Sequence, residues 1–133
     1  MTKQSVLYAD IVAFIALKIF AFRNRHEGKD VHDPIHCIEA GDITEIAGRF
    51  VAALKGKHSE VIQRALDDLH TTFADEEGIE GYTKDGPAMA ARFEIEGDDA
   101  EIRERRTLRQ REFATIVNSL LAEIAKQRKA AGV

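Results

Sequence analysis

The amino-acid sequence predicts an all-α, single-domain bundle of five to six helices with a long C-terminal helix. Apolar residues recur at helical spacing over most of the 133 residues. No stretch alternates apolar and polar residues over the length of a strand. Only 2 prolines and 9 glycines interrupt the pattern. A hydrophobic content of 44% and a charged content of 32% are typical of a globular chain that buries its own core.

The first predicted helix covers Val6 to Phe22 and is apolar around nearly its whole circumference. It contains a tyrosine, an aspartate and a lysine, and it is shorter than the roughly 20 apolar residues that cross a bilayer. It also lacks the basic start and the small-residue cleavage site of a secretory signal. We therefore expect no membrane partner, and a core helix of a cytoplasmic protein. The single cysteine, Cys37, fits a reducing compartment.

A helix that is apolar on nearly every side requires more cover than one small bundle usually provides. Each large apolar side chain that stays in water forgoes roughly 1.5–3 kcal/mol of burial. A second copy of the chain is one source of that cover. We therefore predict a homodimer in which the helix from Val6 to Phe22 lies at or beside the interface. A separate catalytic chain is the alternative partner.

Two further helices follow a polar turn. A short helix is predicted from Asp30 to Glu39, where Pro34 is tolerable only in the first turn. Asp42 and Glu45 then form the N-cap and capping box of a third helix. Gly56 is expected to close that third helix.

The second half of the chain begins with a fourth helix, for which Ser59 is the expected N-cap. An acidic stretch with three glycines, at about 75–86, is the linker-like part of the domain. A short helix is then expected from Pro87 to Phe93. Asp98 or Asp99 caps a long final helix that runs nearly to the C-terminus.

The most unusual segment reads KIFAFRNRHEGKDVHDPIHC and places basic side chains on both sides of the first turn. Basic groups in such positions bind phosphates, and a carboxylate can orient a lysine or a metal ion. The candidate nucleotide- or phosphate-binding residues are Lys18, Arg23, Arg25, Lys29, Asp30 and Asp33. The alternative is a helix–turn–helix corner held by salt bridges, with Asp30 as an N-cap.

This segment resembles the C-terminal region of nucleotidyltransferase-like proteins of the AbiEii/AbiGii abortive-infection toxin type. In that group a helix with a lysine leads through an arginine-rich turn into an [RK]-D-x-x-D helix. The matching stretch here is FIALKIFAFRNRHEGKDVHDPIHCI, and the later GDITEIAGRFVAAL, DGPAMAARF and arginine-rich final helix are also similar. The residues at the matching positions are Lys18, Lys29, Asp30 and Asp33.

The resemblance implies a toxin–antitoxin context and a catalytic module carrying G-S-x-x-x-R and D-x-D, whose carboxylates hold Mg²⁺ and the nucleotide. This sequence contains no Gly-Ser pair, and its two Asp-Asp pairs lie in or beside predicted helices. We therefore expect a non-catalytic helical accessory or interaction domain, with Mg²⁺ and a nucleotide bound only together with a catalytic partner. A structural, self-associating helical bundle is the alternative.

A small metal-binding protein is a further alternative. His32 and His36 lie four residues apart, on one face of a helix, and Cys37 is adjacent. Histidine and cysteine are common ligands of zinc and other transition metals. An i, i+4 histidine pair without further spaced ligands also occurs as ordinary packing or surface residues. Nothing in the spacing favours Cys37 as a catalytic nucleophile.

Five arginines occur within nine residues near the start of the final helix. Such a cluster can contact the phosphates of a nucleic acid. Glutamates three or four residues away can instead pair with these arginines, and no aromatic residues are interleaved for base stacking. We expect a solvated, ion-paired helix face rather than a nucleic-acid interface. The residues are Arg103, Arg105, Arg106, Arg109 and Arg111.

Overall fold

The computed structural model describes the backbone of residues 3–74 and 83–133, and the side chains of residues 11–74 and 83–133. The predicted all-α class is confirmed: the described residues form six helices and no strand. The helices are α1 (Lys3–Arg25), α2 (Gly28–Ala40), α3 (Ile43–Leu54), α4 (Ser59–Phe73), α5 (Asp85–Glu94) and α6 (Ala100–Ala131). None of these described helices combines the length and the apolar character that crossing a bilayer requires.

The core is built from residues of all six helices. α1 packs against α2, α3 and α4, while α6 packs mainly against α3 and α5. Four phenylalanines, one each from α1, α3, α4 and α6, are fully buried at the centre. Large apolar side chains contribute most of the burial free energy, so these rings hold the helices in one body. The four are Phe22, Phe50, Phe73 and Phe113.

The chain itself covers most of the described part of α1. Ile15, Ile19 and Phe22 are fully buried, and Ile11 and Phe20 pack against the core while partly exposed. One large apolar side chain of α1, Leu17, is 68% exposed. The side chains of residues 3–10, which include the start of the apolar pattern, lie outside the described residues. Among the described α1 side chains, Leu17 is therefore the main exposed apolar group that could contact a second copy in the predicted homodimer.

The predicted caps of the third and final helices are confirmed. The Asp42 carboxylate accepts a hydrogen bond from the backbone N–H of Glu45 at 3.0 Å. Asp99, rather than its neighbour Asp98, caps α6 by accepting the N–H of Ile102 at 2.9 Å. These side chains satisfy N–H groups that have no partner within the helix.

The predicted Ser59 cap is wrong by one residue. The carbonyl of His58 already accepts the backbone N–H of Ile62 at 3.1 Å. His58 is therefore the N-cap residue, and Ser59 is the first residue of α4. The His58 side chain makes no capping hydrogen bond.

α2 begins earlier than the sequence indicates. It starts at Gly28, so Pro34 lies in the second turn rather than the first. Proline has no N–H, and the usual i, i+4 hydrogen bond to the carbonyl of Asp30 is therefore missing. The Pro34 ring is buried beside Ile35 and Ile38, and this burial offsets the lost hydrogen bond.

The predicted linker at 75–86 is shorter at its C-terminal end, because Asp85 and Gly86 belong to α5. Residues 75–82 of that linker lie outside the described residues. Gly86 allows α5 to approach the end of α4 closely. A Cβ atom at this position would lie 2.8 Å from the Thr72 carbonyl oxygen and 2.8 Å from Cζ of Phe73.

α6 is much longer than the core it covers. Its 32 residues span about 48 Å. The buried residues of α6 begin only at Phe113. Residues 100–112, here called the α6 arm, lie along the outside of the bundle and contain no fully buried side chain. The arm therefore presents most of its circumference to solvent.

Candidate functional site

The turn between α1 and α2 brings four of the six predicted phosphate-binding residues together. Nζ of Lys18 lies 3.2 Å from Oδ2 of Asp33 and 3.8 Å from Oδ1 of Asp30. The Arg25 guanidinium donates to both carboxylate oxygens of Asp30, through Nη2 at 2.8 Å and through Nε at 3.1 Å. We call Lys18, Arg25, Asp30 and Asp33 the α1–α2 corner.

Asp30 is the buried centre of this corner. Its side chain is 2% exposed, whereas those of Lys18, Asp33 and Arg25 are 26%, 30% and 54% exposed. A buried carboxylate is strongly unfavourable unless cations and hydrogen bonds compensate for its lost hydration. Lys18 and Arg25 supply that compensation from the last two turns of α1. The salt-bridged corner is thus present in the structure.

Asp30 is not the N-cap of α2, so that part of the corner interpretation is wrong. Glu27 is the N-cap residue, and its carbonyl accepts the Asp30 N–H at 3.1 Å. The Asp30 side chain instead turns toward α1, where two cations bind it. A carboxylate within the first helical turn also interacts favourably with the helix dipole.

The other two predicted residues lie at the edge of the corner. Arg23 approaches Oδ1 of Asp68 on α4 at 3.9 Å. Lys29 is exposed at the start of α2, directly before Asp30 in the chain. The α1–α2 corner is therefore a neutralised, partly buried ion cluster, and Lys29 is an exposed cation next to it in the chain.

The two histidines of the metal-binding alternative stack on each other. Their ring centroids are 6.1 Å apart with an interplanar angle of 13°. Nε2 of His32 lies 3.1 Å from Oε1 of Glu94, and its ring packs between Phe93 and Phe113. Within residues 11–74 and 83–133, no three or more histidine, cysteine, aspartate or glutamate side chains are placed to hold a metal ion.

Cys37 does not join the histidines in a ligand set. Burial, followed by the negative charge of Asp33, raises the pKa of its thiol above the ordinary value. A raised pKa keeps the sulfur protonated, whereas a nucleophile or metal ligand requires the thiolate. The free Cys37 is half-buried and behaves as a small apolar residue.

An ion cluster that the sequence did not predict joins α2, α5 and α6. The Arg109 guanidinium donates to both carboxylate oxygens of Glu39, at 2.7 and 2.8 Å. It also donates to Glu94 at 2.6 and 3.2 Å and to Glu112 at 2.8 Å. The guanidinium carbon lies 4.3 Å from the ring centroid of Phe113. We call Arg109 and its three glutamates the Arg109 cluster.

The charges of this cluster stabilise one another. Hydrogen bonds from Arg109 lower the pKa values of Glu39 and Glu94 below the ordinary value, although partial burial opposes this effect. The same two glutamates raise the pKa of Arg109 further. Glu39, Glu94 and Arg109 are therefore ionised at neutral pH, and Arg109 is engaged within its own chain.

The predicted arginine cluster is divided among different roles. Arg106 donates to the backbone carbonyls of Ile95 and Gly97 at 2.9 and 3.0 Å, and so holds the connection between α5 and α6. Arg103 and Arg105 are exposed on the α6 arm. The predicted pairing of these arginines with glutamates three or four residues away is confirmed for Arg109 and Glu112. Sequence spacing missed the other two partners of Arg109, because Glu39 and Glu94 lie 70 and 15 residues away along the chain.

A shallow groove of about 300 Å³ lies between α4 and α6. Its floor is formed by the buried side chains of Leu66, Leu121 and Ile124. The polar groups at its rim are bonded to each other: Arg128 donates to Gln63, which donates to Asp67 in turn. The groove therefore presents few unsatisfied polar groups to a ligand.

Comparison with known protein families, with curated proteins and with solved structures yields no match in any of the three. The function must therefore be inferred from the site itself.

Proposed function

We propose that this chain is a non-catalytic helical accessory domain that helps a separate catalytic chain hold a nucleotide or phosphate. One observation carries the proposal. Lys18 reaches across the turn to both Asp30 and Asp33, and these are positions on which the resemblance to nucleotidyltransferase-like proteins rests. Residues 12 and 15 positions apart in sequence thus form one cluster. Residues of one motif that bind the same ligand must lie close together in this way.

The corner has the chemistry to contact a phosphate. A lysine ammonium has three N–H donors, and the two aspartates accept at most two of them from Lys18. The third donor is available to a phosphate oxygen, because the Lys18 side chain is 26% exposed. Exposed Lys29, at the start of α2, adds a second cation to this segment. Asp30 accepts hydrogen bonds from Arg25 and pairs with Lys18, and so helps to fix the position of the Lys18 side chain.

Asp33 could contribute an oxygen ligand for the metal ion. Its carboxylate is 30% exposed and could interact with the Mg²⁺ of a bound nucleotide, since oxygen ligands suit that ion. In this proposal the remaining metal-holding carboxylates and the reaction itself belong to the catalytic chain. A toxin–antitoxin context and a cytoplasmic location belong to the same proposal, and the free Cys37 fits a reducing compartment.

The proposal predicts weak nucleotide binding and no nucleotide transfer by the isolated chain. With Mg²⁺-ATP, equilibrium dialysis should give a dissociation constant in the millimolar range, because a few partly neutralised cations provide little affinity. Lys18→Met should weaken binding several-fold. Radiolabelled ATP should transfer no nucleotide to protein or RNA.

Lys126→Met is the matched control, since Lys126 is an exposed lysine on α6 outside the corner. This variant should bind Mg²⁺-ATP as the wild-type chain does. Equal binding by the wild-type chain and Lys18→Met would contradict the proposed role of the corner. Transfer above a blank without protein that Asp30→Ala abolishes would contradict the non-catalytic assignment.

A further inference from the structure

The α6 arm exposes a large apolar side chain at the centre of a charged face. Leu108 is 55% exposed. Residues three and four positions away along a helix surround a given side chain. Around Leu108 these neighbours are two arginines and two glutamates, all of them exposed: Glu104, Arg105, Arg111 and Glu112.

The charges on this face are arranged symmetrically about Leu108. Four positions before and after it lies a glutamate, and three positions before and after it lies an arginine. The nine residues read ERRTLRQRE, so the outer four charges form a palindrome. A two-fold interface uses the same patch on both copies, so the charges of that patch must complement one another.

Helix geometry determines which charges would face each other. At 100° per residue, position +3 and position −4 lie on the same side of the central residue, as do +4 and −3. A two-fold axis at Leu108 makes the two α6 arms antiparallel. It reverses the direction of the second helix, but each side of one helix still faces the same side of the other. Arg111 of one copy then faces Glu104 of the other, and Glu112 faces Arg105. Every one of the four facing pairs has opposite charges.

We infer that the exposed face of the α6 arm is an interface for a second copy of this chain, packed antiparallel about Leu108. Charge complementarity favours a second copy, because in this symmetric arrangement each of the four charges on one copy meets its opposite on the other. The bond between Arg109 and Glu112 does not prevent the pairing. Glu112 uses Oε2 for Arg109 and remains 61% exposed, and an arginine has five N–H donors.

The contact is small, so the dimer should be weak and sensitive to salt. The arm is 13 residues long, or about 20 Å, and a stable dimer commonly buries about 800 Å² on each partner. Exposed ion pairs weaken as ionic strength rises. Sedimentation equilibrium at rising protein concentration should therefore show a dimer at low salt that dissociates in high salt.

Charge reversal provides the decisive experiment. Glu104→Arg and Arg111→Glu should each lower the dimer association constant at least about tenfold, because two of the four facing pairs become repulsive. An equimolar mixture of the two variants should associate like the wild-type chain, since the heterodimer restores all four pairs. Circular dichroism of each variant verifies that it is folded.

Leu17→Glu is the matched control for Leu108→Glu, because both leucines are exposed, on α1 and on the α6 arm. Leu108→Glu should abolish association and Leu17→Glu should leave it unchanged. Three results would overturn the inference: a wild-type monomer at all concentrations, no rescue in the mixture, or dissociation by Leu17→Glu alone. The last result would instead favour the homodimer predicted through α1.

Discussion

Phe113→Ala should lower the free energy of unfolding by about 3–5 kcal/mol, measured by urea denaturation followed by circular dichroism. The Phe113 ring is 1% exposed and packs between its own helix, α6, and α2. It meets the His32 ring edge-on at 5.8 Å and lies under the Arg109 guanidinium at 4.3 Å. Removing the ring leaves a cavity and loses both contacts.

Phe93→Ala is the control for this prediction. Phe93 contacts the same histidine, with ring centroids 5.1 Å apart, but is 47% exposed. Its removal should cost only about 1 kcal/mol, because less apolar area leaves water when this ring packs. Equal losses in the free energy of unfolding for the two variants would contradict the larger role assigned to Phe113.

Arg109→Met should lower the free energy of unfolding by about 2–3 kcal/mol at pH 7. The Arg109 side chain is 20% exposed and pairs with Glu39, Glu94 and Glu112. Without it, the partly buried carboxylates of Glu39 and Glu94 repel each other, and the more exposed Glu112 adds a third negative charge nearby. Arg103→Met, on the exposed side of the same helix, should change stability by less than about 0.5 kcal/mol.

The effect of Arg109→Met should also depend on pH. The pKa values of Glu39 and Glu94 are lowered in the folded chain, so their contribution to stability is complete above the ordinary glutamate pKa of about 4.5. That contribution is lost as the pH falls through the lowered pKa values. The stability difference between the wild-type chain and the variant should therefore narrow below pH 4.5. A difference that stays constant down to pH 3 would contradict the assigned cause.

Helix content and the N-caps of α3 and α6 could be predicted from the sequence because they depend on nearby residues. Asp42 and Asp99 reach N–H groups three residues ahead, so a short pattern suffices to identify them. The start of α2 could not be predicted in the same way. Pro34 is tolerated in the second turn because its ring is buried, and Lys18 and Arg25 of α1 compensate for the burial of Asp30 in the first turn. That compensation is a tertiary effect.

The two ion clusters also differ in whether nearby residues in the sequence reveal them. The α1–α2 corner could be predicted because a single turn joins its residues, and the sequence placed Lys18, Asp30 and Asp33 close together. The Arg109 cluster depends on how α2, α5 and α6 pack. Glu39 and Glu94 reach Arg109 from 70 and 15 residues away, and no local pattern encodes such a meeting.

The proposed role of the α1–α2 corner is tested most directly by NMR chemical-shift mapping of the uniformly ¹⁵N-labelled chain during titration with tripolyphosphate. The account predicts that the largest shifts occur at Lys18, Lys29 and Asp33, with smaller shifts at Arg23, and that Lys18→Met reduces them. Shifts centred on the exposed Arg103 and Arg105 of the α6 arm, or no shifts at millimolar tripolyphosphate, would contradict it.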